Sequence, residues 1–422
     1  MCYNVSFSEA KKVLDAIQRV KNEKAVAKVV LGATEVGTDV ECAVKVLGGS
    51  EEVAVKFLAK KPSTYAGPVQ GAFDNTSLIA VLSSLSLLKE AISIDIVDGI
   101  GRFGVAGKAA TSLPCLGAEE IPSGVVLDPS SQIVRFFVKQ ADFISLLRGG
   151  GFATAREDNG GRGVNNATLV VEDNRLVLYS CNETGSTIGL ASCPIELEDI
   201  PSGESTKRAD FCKEKGIENL IVPIPQKVVI NLLGLLDGEN KCSVIVTDKV
   251  IMMAPTREVQ YLAVVGAKAF TAGVQILGQI EQMPTKGICI VDNEKLSTNL
   301  AMIKNFSALA SKGGAPVELK IGKDKLMLSQ TNGDGKVVID VVASSFENAE
   351  ERRLDGEKLS TIIGVLAKGN VRIELRDGEN IPLVFTNGSL AEVSGNVKAL
   401  LAPVQKPVEK EAETTAVEEK AE

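Results

Sequence analysis

The chain has 422 residues, a formal net charge of −8 and a hydrophobic fraction of 45%. It contains no histidine, which excludes Ser-His-Asp and Cys-His catalysis and His-ligated zinc. No stretch approaches 18 consecutive apolar residues, so a membrane-spanning helix is not predicted.

The termini and cysteines indicate a cytoplasmic protein. The opening "MCYNVSFSEAKK" lacks a basic region followed by an apolar one, so no secretory signal is predicted. The eight cysteines form no C-x-x-C pair and are expected to be reduced thiols. We therefore expect no metal site and no cofactor.

The sequence pattern of the first third of the chain predicts two units, each built of strands and one helix. In the first unit, Ser8 is a candidate helix cap, and Val13, Leu14, Ile17 and Val20 recur at helical spacing. The second unit begins with the helical pattern "NTSLIAVLSSLSLLKE" from Asn75 and continues into the alternating strand "AISIDIVDG".

The middle third repeats this arrangement. Its first unit starts with "QIVRFFVKQADFISLL" from Gln132, and its second has the helix "QKVVINLLGLL" from Gln226. An additional polar loop, "LEDIPSGESTKRADFCKEKGIENL", separates the two.

The last third has the clearest patterns. Asn293 precedes Leu296, Leu300 and Ile303 at helical spacing. An alternating strand follows, with Val317, Leu319 and Ile321 on one face. A second helical stripe consists of Leu359, Ile362, Ile363 and Leu366. The strand after it alternates likewise, with Val371, Ile373 and Leu375 on one face. Arg372, Glu374 and Arg376 are predicted on the opposite face of the last strand.

The repeated pattern along the whole chain therefore predicts an α+β fold in which one β-α-β-β-β unit occurs six times. Two units would make one domain, with two helices packed on antiparallel sheets. The predicted domains are residues 1–130, 131–277 and 278–404. Residues 405–422 are charged, lack aromatic residues and are predicted to be a disordered acidic tail.

This order of motifs resembles the bacterial DNA sliding clamp, the beta subunit of DNA polymerase III. The resemblance covers residues 1 to about 404. It rests on the order and spacing of four stretches, "ETGSTIGLASCPI", "IVPIPQKVVINLLGLL", "LDGEKLSTIIGVLAKGNVRIELRDGENIPLVF" and the terminal "LLAPVQ". It implies three similar domains per chain and a homodimeric ring around duplex DNA. It also implies a non-enzymatic processivity factor without cofactors, which tethers the replicative polymerase and is loaded by a clamp loader.

A sliding protein must hold DNA without reading its sequence, and phosphate contacts carry no sequence information. Basic side chains on or beside the predicted helices are therefore candidates to face DNA: Lys11, Lys12, Arg19, Lys139, Arg148, Arg156, Lys295, Lys304 and Lys312. Solvated helices commonly carry such residues, so each is equally a candidate for an ordinary surface position. In a ring, the edge of each domain's sheet would also pair with the next, which removes exposed edges.

The resemblance implies an apolar groove for a short linear peptide of the partner proteins. The residues at its lining positions are Val164, Gly185, Ile188, Val274, Leu383, Leu400 and Ala402. Each apolar residue among them is also a plausible core residue. The chain departs from the family at Ser186 and Thr187, where a basic pair is usual, and at Ala402 and Val404, where methionine is usual. The groove is therefore expected to take a peptide of the protein's own replication system.

Two other motifs do not support catalysis. "RGGGFATAREDNGGRG" from Arg148 lacks the G-K-[ST] ending of a phosphate loop and is better explained as a flexible helix-to-strand loop. The acidic pairs in "SIDIVDG" and "EDIPSGE" lack a third carboxylate for a two-metal site. Two alternatives to a clamp stay open: a clamp-like scaffold that does not encircle DNA, and a carboxylate-dependent hydrolase.

Overall fold

The computed structural model describes residues 3–19, 24–63, 65–106, 108–158, 160–172, 174–197, 204–310, 316–330, 336–366, 369–378, 380–387 and 397–404. At 19, 109, 204–207, 274 and 304–310 only the backbone is described. Val20, Lys312 and the predicted acidic tail lie outside the described residues, as does most of the "EDIPSGE" segment.

The described residues form eight α-helices: α1 (Phe7–Arg19), α2 (Asn75–Ser86), α3 (Gln140–Gly151), α4 (Glu204–Lys215), α5 (Gln226–Leu235), α6 (Ala272–Gln282), α7 (Asn293–Ala310) and α8 (Gly356–Val365). The first thirteen strands are β1 (Tyr3–Val5), β2 (Val26–Val36), β3 (Asp39–Leu47), β4 (Glu51–Lys60), β5 (Val69–Asp74), β6 (Ile92–Val97), β7 (Ile100–Val105), β8 (Ala109–Pro114), β9 (Gln132–Lys139), β10 (Asn166–Val171), β11 (Arg175–Cys181), β12 (Thr187–Pro194) and β13 (Glu196–Leu197). The others are β14 (Leu220–Pro225), β15 (Lys241–Thr247), β16 (Val250–Ala254), β17 (Val259–Val264), β18 (Thr285–Asp292), β19 (Val317–Ile321), β20 (Lys325–Gln330), β21 (Lys336–Asp340), β22 (Ala343–Ser344), β23 (Glu350–Leu354), β24 (Asn370–Arg376), β25 (Leu383–Asn387) and β26 (Val397–Leu401).

These elements repeat one order six times: a strand, a helix and three further strands. The units begin at β1, β5, β9, β14, β18 and β23, and their helices are α1, α2, α3, α5, α7 and α8. The predicted α+β class and the six repeated units are confirmed. The structure adds α4, which lies in the additional polar loop, and α6, which the sequence patterns did not predict.

Successive units exchange their first strands. β1 pairs with β6 of the second unit, and β5 of the second unit pairs with β2 of the first, both antiparallel. The same exchange joins β9 to β15 and β14 to β10. It recurs between β18 and β24 and between β23 and β19. Each pair of units is thus held together by backbone hydrogen bonds as well as by apolar packing.

The chain divides into two compact units, one of residues 1–277 with 396–399 and the other of residues 278–395 with 400–422. Within the first unit, β17 pairs with β4, from Val259 opposite Val55 to Ala263 opposite Glu51. This pairing joins two sheets into one sheet of nine strands. The expected edge-to-edge pairing is therefore present between the first and middle thirds. The division into three domains stays a prediction.

The helices are positioned by buried apolar stripes and by caps. In α7, Leu296, Leu300 and Ile303 are at most 1% exposed, as predicted. The cap of α1 is Ser6, not the predicted Ser8. The Ser6 hydroxyl accepts from the Glu9 N–H at 3.3 Å, and the Glu9 carboxylate accepts from the Ser6 N–H at 3.1 Å. This reciprocal pair is a capping box, which satisfies two donors where a cap at Ser8 would satisfy one.

One further expectation was wrong in part. Arg148–Gly151 is the last turn of α3 and not a flexible loop. A Cβ atom at Gly150 would lie 2.4 Å from the Leu178 carbonyl oxygen, so the glycine lets α3 lie directly on β11. On β24, both faces are buried: Arg372 and Glu374 are 6% and 4% exposed and form an ion pair at 2.6 Å.

Candidate nucleic-acid interface

Four helices of the first compact unit, α1, α2, α3 and α5, form a continuous row. α2 packs against α1, α1 against α5, and α5 against α3. In the second compact unit α7 packs against α8. Each helix buries its apolar stripe, so its exposed residues lie on the side away from the core. If the helices face DNA, these exposed sides would contact the duplex.

Most of the predicted DNA-facing residues lie on exposed positions. Lys11 and Lys12 are exposed on α1, Arg148 on α3 and Lys295 on α7. Lys139 is exposed at the end of β9, and Arg156 in the segment after α3. Only the backbone is described at Arg19 and Lys304, and Lys312 is outside the described residues. The structure thus gives these residues access to solvent, and their contact with DNA stays a prediction.

Lys12 is already paired. Its amine lies 3.8 Å from the Glu258 carboxylate, and the two side chains are 56% and 49% exposed. An exposed pair of this kind is worth at most about 1 kcal/mol and can be exchanged for a phosphate. Lys12 is therefore available to DNA at the cost of a weak pair, while Lys11 has no such competitor among the described salt bridges.

The segment after α3 is ordered by Asp158. Its carboxylate accepts from the N–H groups of Arg162 at 2.9 Å and Gly163 at 2.6 Å. Slight burial opposes ionisation, but these bonds and the positive charges of Lys268 and Arg162 hold the pKa of Asp158 below its usual range. Arg162 also donates to the Glu183 carbonyl and Lys268 to the Gly161 carbonyl. The segment presents exposed cations beside fixed acids, not a phosphate cradle.

The groove residues of the first compact unit are mostly buried. Val164 and Ile188 are 1% and 3% exposed, whereas Gly185 is exposed with φ +73°. Asn182 organises the turn, because its amide donates to Ser186 at 3.1 Å and accepts from the Thr187 N–H at 3.0 Å. The side chain of Val274 is not described. A partner would first meet the turn, not the two apolar side chains.

The chain that follows β17 lies on the face of β10 and β11. Thr168 exchanges hydrogen bonds with the backbone of Phe270, at 3.2 Å and 3.0 Å. Asn166 donates to the Lys268 carbonyl at 2.8 Å. Burial of the neighbouring Tyr179 raises its pKa to about 12. These polar contacts fix the segment that leads into α6, which carries the predicted groove residue Val274.

The groove residues of the second compact unit are also buried at their apolar positions. Leu383 is 0% and Leu400 2% exposed, while Ala402 is half-buried. Val404 donates its N–H to the Arg353 carbonyl at 2.8 Å, so the closing segment is tied to the end of β23. Ala402 is therefore the side chain of this set that a partner reaches without rearrangement.

The sequence patterns did not predict one buried charged site, which is centred on Glu51. Glu51, at the start of β4, is 1% exposed, and its carboxylate accepts from Tyr261 at 2.6 Å and from Asn231 at 3.1 Å. Lys227 on α5 lies 2.7 Å from its other oxygen. Burial and the Glu51 charge raise the pKa of Tyr261 far above its usual range. "GGSEEVAV" has the composition of an exposed turn, so no local signal separates Glu51 from Glu52.

Comparison with solved structures identifies the architecture. The chain is similar to a DNA polymerase sliding clamp from Pseudomonas aeruginosa, with a TM-score of 0.73 at 14% identity over 96% of this chain and 100% of that one. It is also similar to the DNA polymerase III beta subunit of Thermotoga maritima, with a TM-score of 0.73 at 15% identity over 96% and 99% of the two chains. The chain has the fold of the bacterial DNA sliding clamp. A clamp from Helicobacter pylori shares this fold at 10% identity and a TM-score of 0.72.

No family model and no curated protein sequence matches the chain. Within the described residues, no group of three or more Cys, Asp or Glu side chains is placed to hold a metal ion. Among the described helices, none is long and apolar enough to cross a membrane.

Proposed function

We propose that this protein is a DNA sliding clamp, a non-catalytic processivity factor that encircles duplex DNA and tethers a replicative polymerase. The observation that supports this most strongly is the clamp fold along 96% of the chain, with all six repeated units in place. The exposed cations of α1, α3 and α7 support the DNA-facing role of the helices.

The ring would be a homodimer closed by two free sheet edges. Among the described strands, β8 ends the four-stranded sheet of the first compact unit, and β21 ends the four-stranded sheet of the second. Ala110, Thr111 and Ser112 are exposed on β8, and Val338 on β21 is 49% exposed. Unpaired edges of this kind are templates for another strand. Pairing of β8 in one copy with β21 in the other would repeat the β17–β4 junction and close a two-fold ring.

The partner site would be the groove implied by the resemblance, with Gly185 and Ala402 as its accessible residues. The side chains of Ile188 and Val164 are buried, so a partner would not contact them directly. An aspartate at Ile188 would place a charge in the core and destabilise the fold, so it does not test the groove. Ala402→Asp tests it instead. We expect this variant to lose most of its affinity for the replicative polymerase and the clamp loader, with an unchanged melting temperature.

A matched control is Ser63→Asp, which puts the same charge on an exposed turn after β4. The affinities for immobilised polymerase are compared by surface plasmon resonance. Equal affinities of the two variants and the unmodified protein would place the partner site elsewhere.

The clamp proposal is tested by solution mass and by retention on DNA. Light scattering at micromolar concentration should give twice the chain mass. After loading with the clamp loader of the same replication system and ATP, the protein should stay on closed circular DNA and leave the same DNA once it is cut. A monomer that binds polymerase but shows no difference between circular and cut DNA would identify a clamp-like scaffold instead.

A further inference from the structure

The strand β4 is paired along only half of one side. β17 covers it from Val259 opposite Val55 to Ala263 opposite Glu51. Beyond Val55 no described strand lies on that side, although β3 pairs with β4 on the other side as far as Lys60. Residues 57–60 of β4 are therefore an open edge within the first compact unit. At the rise of a strand this edge is roughly 13 Å long.

The backbone groups of the open edge are directed away from β3. The Lys56 N–H donates to the Glu258 carbonyl at 2.8 Å, so it points to the side of β17. In an antiparallel sheet every second residue points its N–H and C=O groups to the same side, so Leu58 and Lys60 do this beyond the end of β17. Leu58 is 48% exposed and Lys60 is exposed. The edge therefore offers hydrogen bonds to an extended chain.

The lysines beside Leu58 are drawn away from the open edge. Lys56 lies 3.5 Å from Glu41 and Lys60 lies 3.0 Å from Asp39, and both acids belong to β3. A lysine on an edge strand normally opposes the pairing of another strand. Here the two ammonium groups lie towards β3, so the apolar Leu58 between them is left accessible.

A cleft of about 430 Å³ runs beside the open edge. Its lining includes Phe57 and Leu58 of β4, and Val36, which is 47% exposed, adds another apolar contact. The turn between β16 and β17 also lines the cleft and carries Arg257. Arg257 is exposed and forms no salt bridge among the described residues.

The acids of the cleft already have partners. Glu258 pairs with Lys12 at 3.8 Å, Glu41 pairs with Lys56, and the Glu9 carboxylate accepts from the Ser6 N–H. Arg257 is therefore the cation of the cleft that has no described acid beside it. A guanidinium in this position favours an incoming carboxylate, because charge-assisted hydrogen bonds are the strong ones.

We propose that the open edge of β4, together with Arg257, binds the C-terminal segment of a partner protein as an added strand. A chain in line with β17 runs antiparallel to β4, and its last residue would lie opposite Phe57. Glu258 lies opposite Lys56, the next position, so the bound chain must end there or leave the sheet. A chain that ends there presents its terminal carboxylate to Arg257, and its residue opposite Leu58 would be apolar. This site is additional to the proposed partner groove and does not depend on ring closure.

Two matched peptides test the proposal by fluorescence anisotropy with the full-length protein. Each is a labelled six-residue peptide of alternating threonine and valine with valine last, one with a free C-terminal carboxylate and the other with an amide. We expect the free acid to bind about tenfold more tightly, because it adds hydrogen bonds between charged groups. Equal affinities, or no saturable binding of the free acid below about 1 mM, would overturn the proposal.

Variants of Arg257 locate the carboxylate. Arg257→Gln should weaken binding of the free acid about tenfold and leave binding of the amide unchanged. Arg102→Gln removes the same charge from an exposed position of β7 and should change neither affinity. Equal effects of the two variants on the free acid would overturn the assignment of Arg257.

Variants of Leu58 locate the added strand. Leu58→Pro removes the outward N–H without removing a bond to β3, which an edge strand tolerates, and should weaken both peptides at least fivefold. If this variant has a lowered melting temperature, Leu58→Lys replaces it and places a charge at the edge instead. Unchanged affinities in a folded Leu58 variant would show that the peptides bind elsewhere and would overturn the proposal.

Ala402→Asp separates this site from the partner groove. Peptide binding should persist in this variant, because Ala402 belongs to the other proposed site. Loss of peptide binding there, with normal binding in the Leu58 variants, would place the peptides in the groove and overturn the added strand. If Ala402→Asp still binds polymerase normally while the Leu58 variants lose the peptides, the groove proposal fails and the open edge stands.

Discussion

At the scale of single residues, Glu51 fixes the junction of the first and middle thirds. It begins β4, and its carboxylate is bound by Tyr261 of β17 and Asn231 of α5. A hydrogen bond to a buried charge is worth about 1.5–3 kcal/mol. We expect Tyr261→Phe to lower the free energy of unfolding by that amount, measured by urea titration.

Tyr65→Phe is the matched control. The Tyr65 hydroxyl donates to the neutral Gly32 carbonyl at 2.6 Å in a half-buried position, so its loss should cost about 0.5–1.5 kcal/mol. If the two variants lose equal stability, the charge of Glu51 adds nothing to the junction.

The buried thiols make a second residue-scale prediction. Burial raises the pKa of Cys193, Cys242 and Cys289 to about 12 from an ordinary 9.0. The unfolded thiols ionise first, so their contribution to stability is complete below about pH 9 and is lost as the pH rises towards 12. We expect urea midpoints to fall over that range.

Reactivity gives an independent check. In a Cys2→Ser background at pH 8, a thiolate-specific reagent should label the half-buried Cys115 first and the three deeply buried thiols only on unfolding. Rapid labelling of Cys242 in the native protein would show that its strand opens.

At the scale of elements, two helix glycines should respond oppositely to alanine. A Cβ at Gly150 would meet the Leu178 carbonyl oxygen at 2.4 Å, whereas one at Gly364 on α8 meets nothing within 4 Å. Gly150→Ala should cost about 1–3 kcal/mol, because the backbone of β11 must shift. Gly364→Ala should stabilise by about 0.5–1 kcal/mol through helix propensity. Thermal melts of both variants test this prediction. If both substitutions lower the melting temperature, Gly364 of α8 must make a close contact that an alanine side chain disturbs.

The elements themselves were largely predictable, since helical spacing and strand alternation are local. The exchange of strands was not: β1 pairs with β6 through Tyr3 opposite Ile94, and no local pattern specifies a partner so distant in the chain. The site was less predictable still. Alternation identifies Arg372 and Glu374 as one face of a strand, but it cannot distinguish a solvated face from a buried ion pair. Ile188 was identified by resemblance, yet only packing shows that it is buried.

At the scale of the whole molecule, closure of the ring would depend on β8. Its exposed residues Ala110, Thr111 and Ser112 are small and uncharged, so another strand could approach closely. Lysines on an edge strand oppose such pairing because each must lose hydration or bend away. We expect Thr111→Lys with Ser112→Lys to convert a two-chain mass to a one-chain mass at micromolar concentration.

The same variant should keep its fold, because both side chains are solvent-exposed and the backbone pairing of β8 with β7 is unchanged. Loss of the dimer should abolish retention on circular DNA while binding of the polymerase persists, since the partner groove lies outside the β8 edge. Thr38→Lys with Ser63→Lys adds the same charge to exposed turns and should remain a dimer. A dimeric β8 variant would show that the two copies meet elsewhere, and a monomeric control would show that net charge, not the edge, governs association.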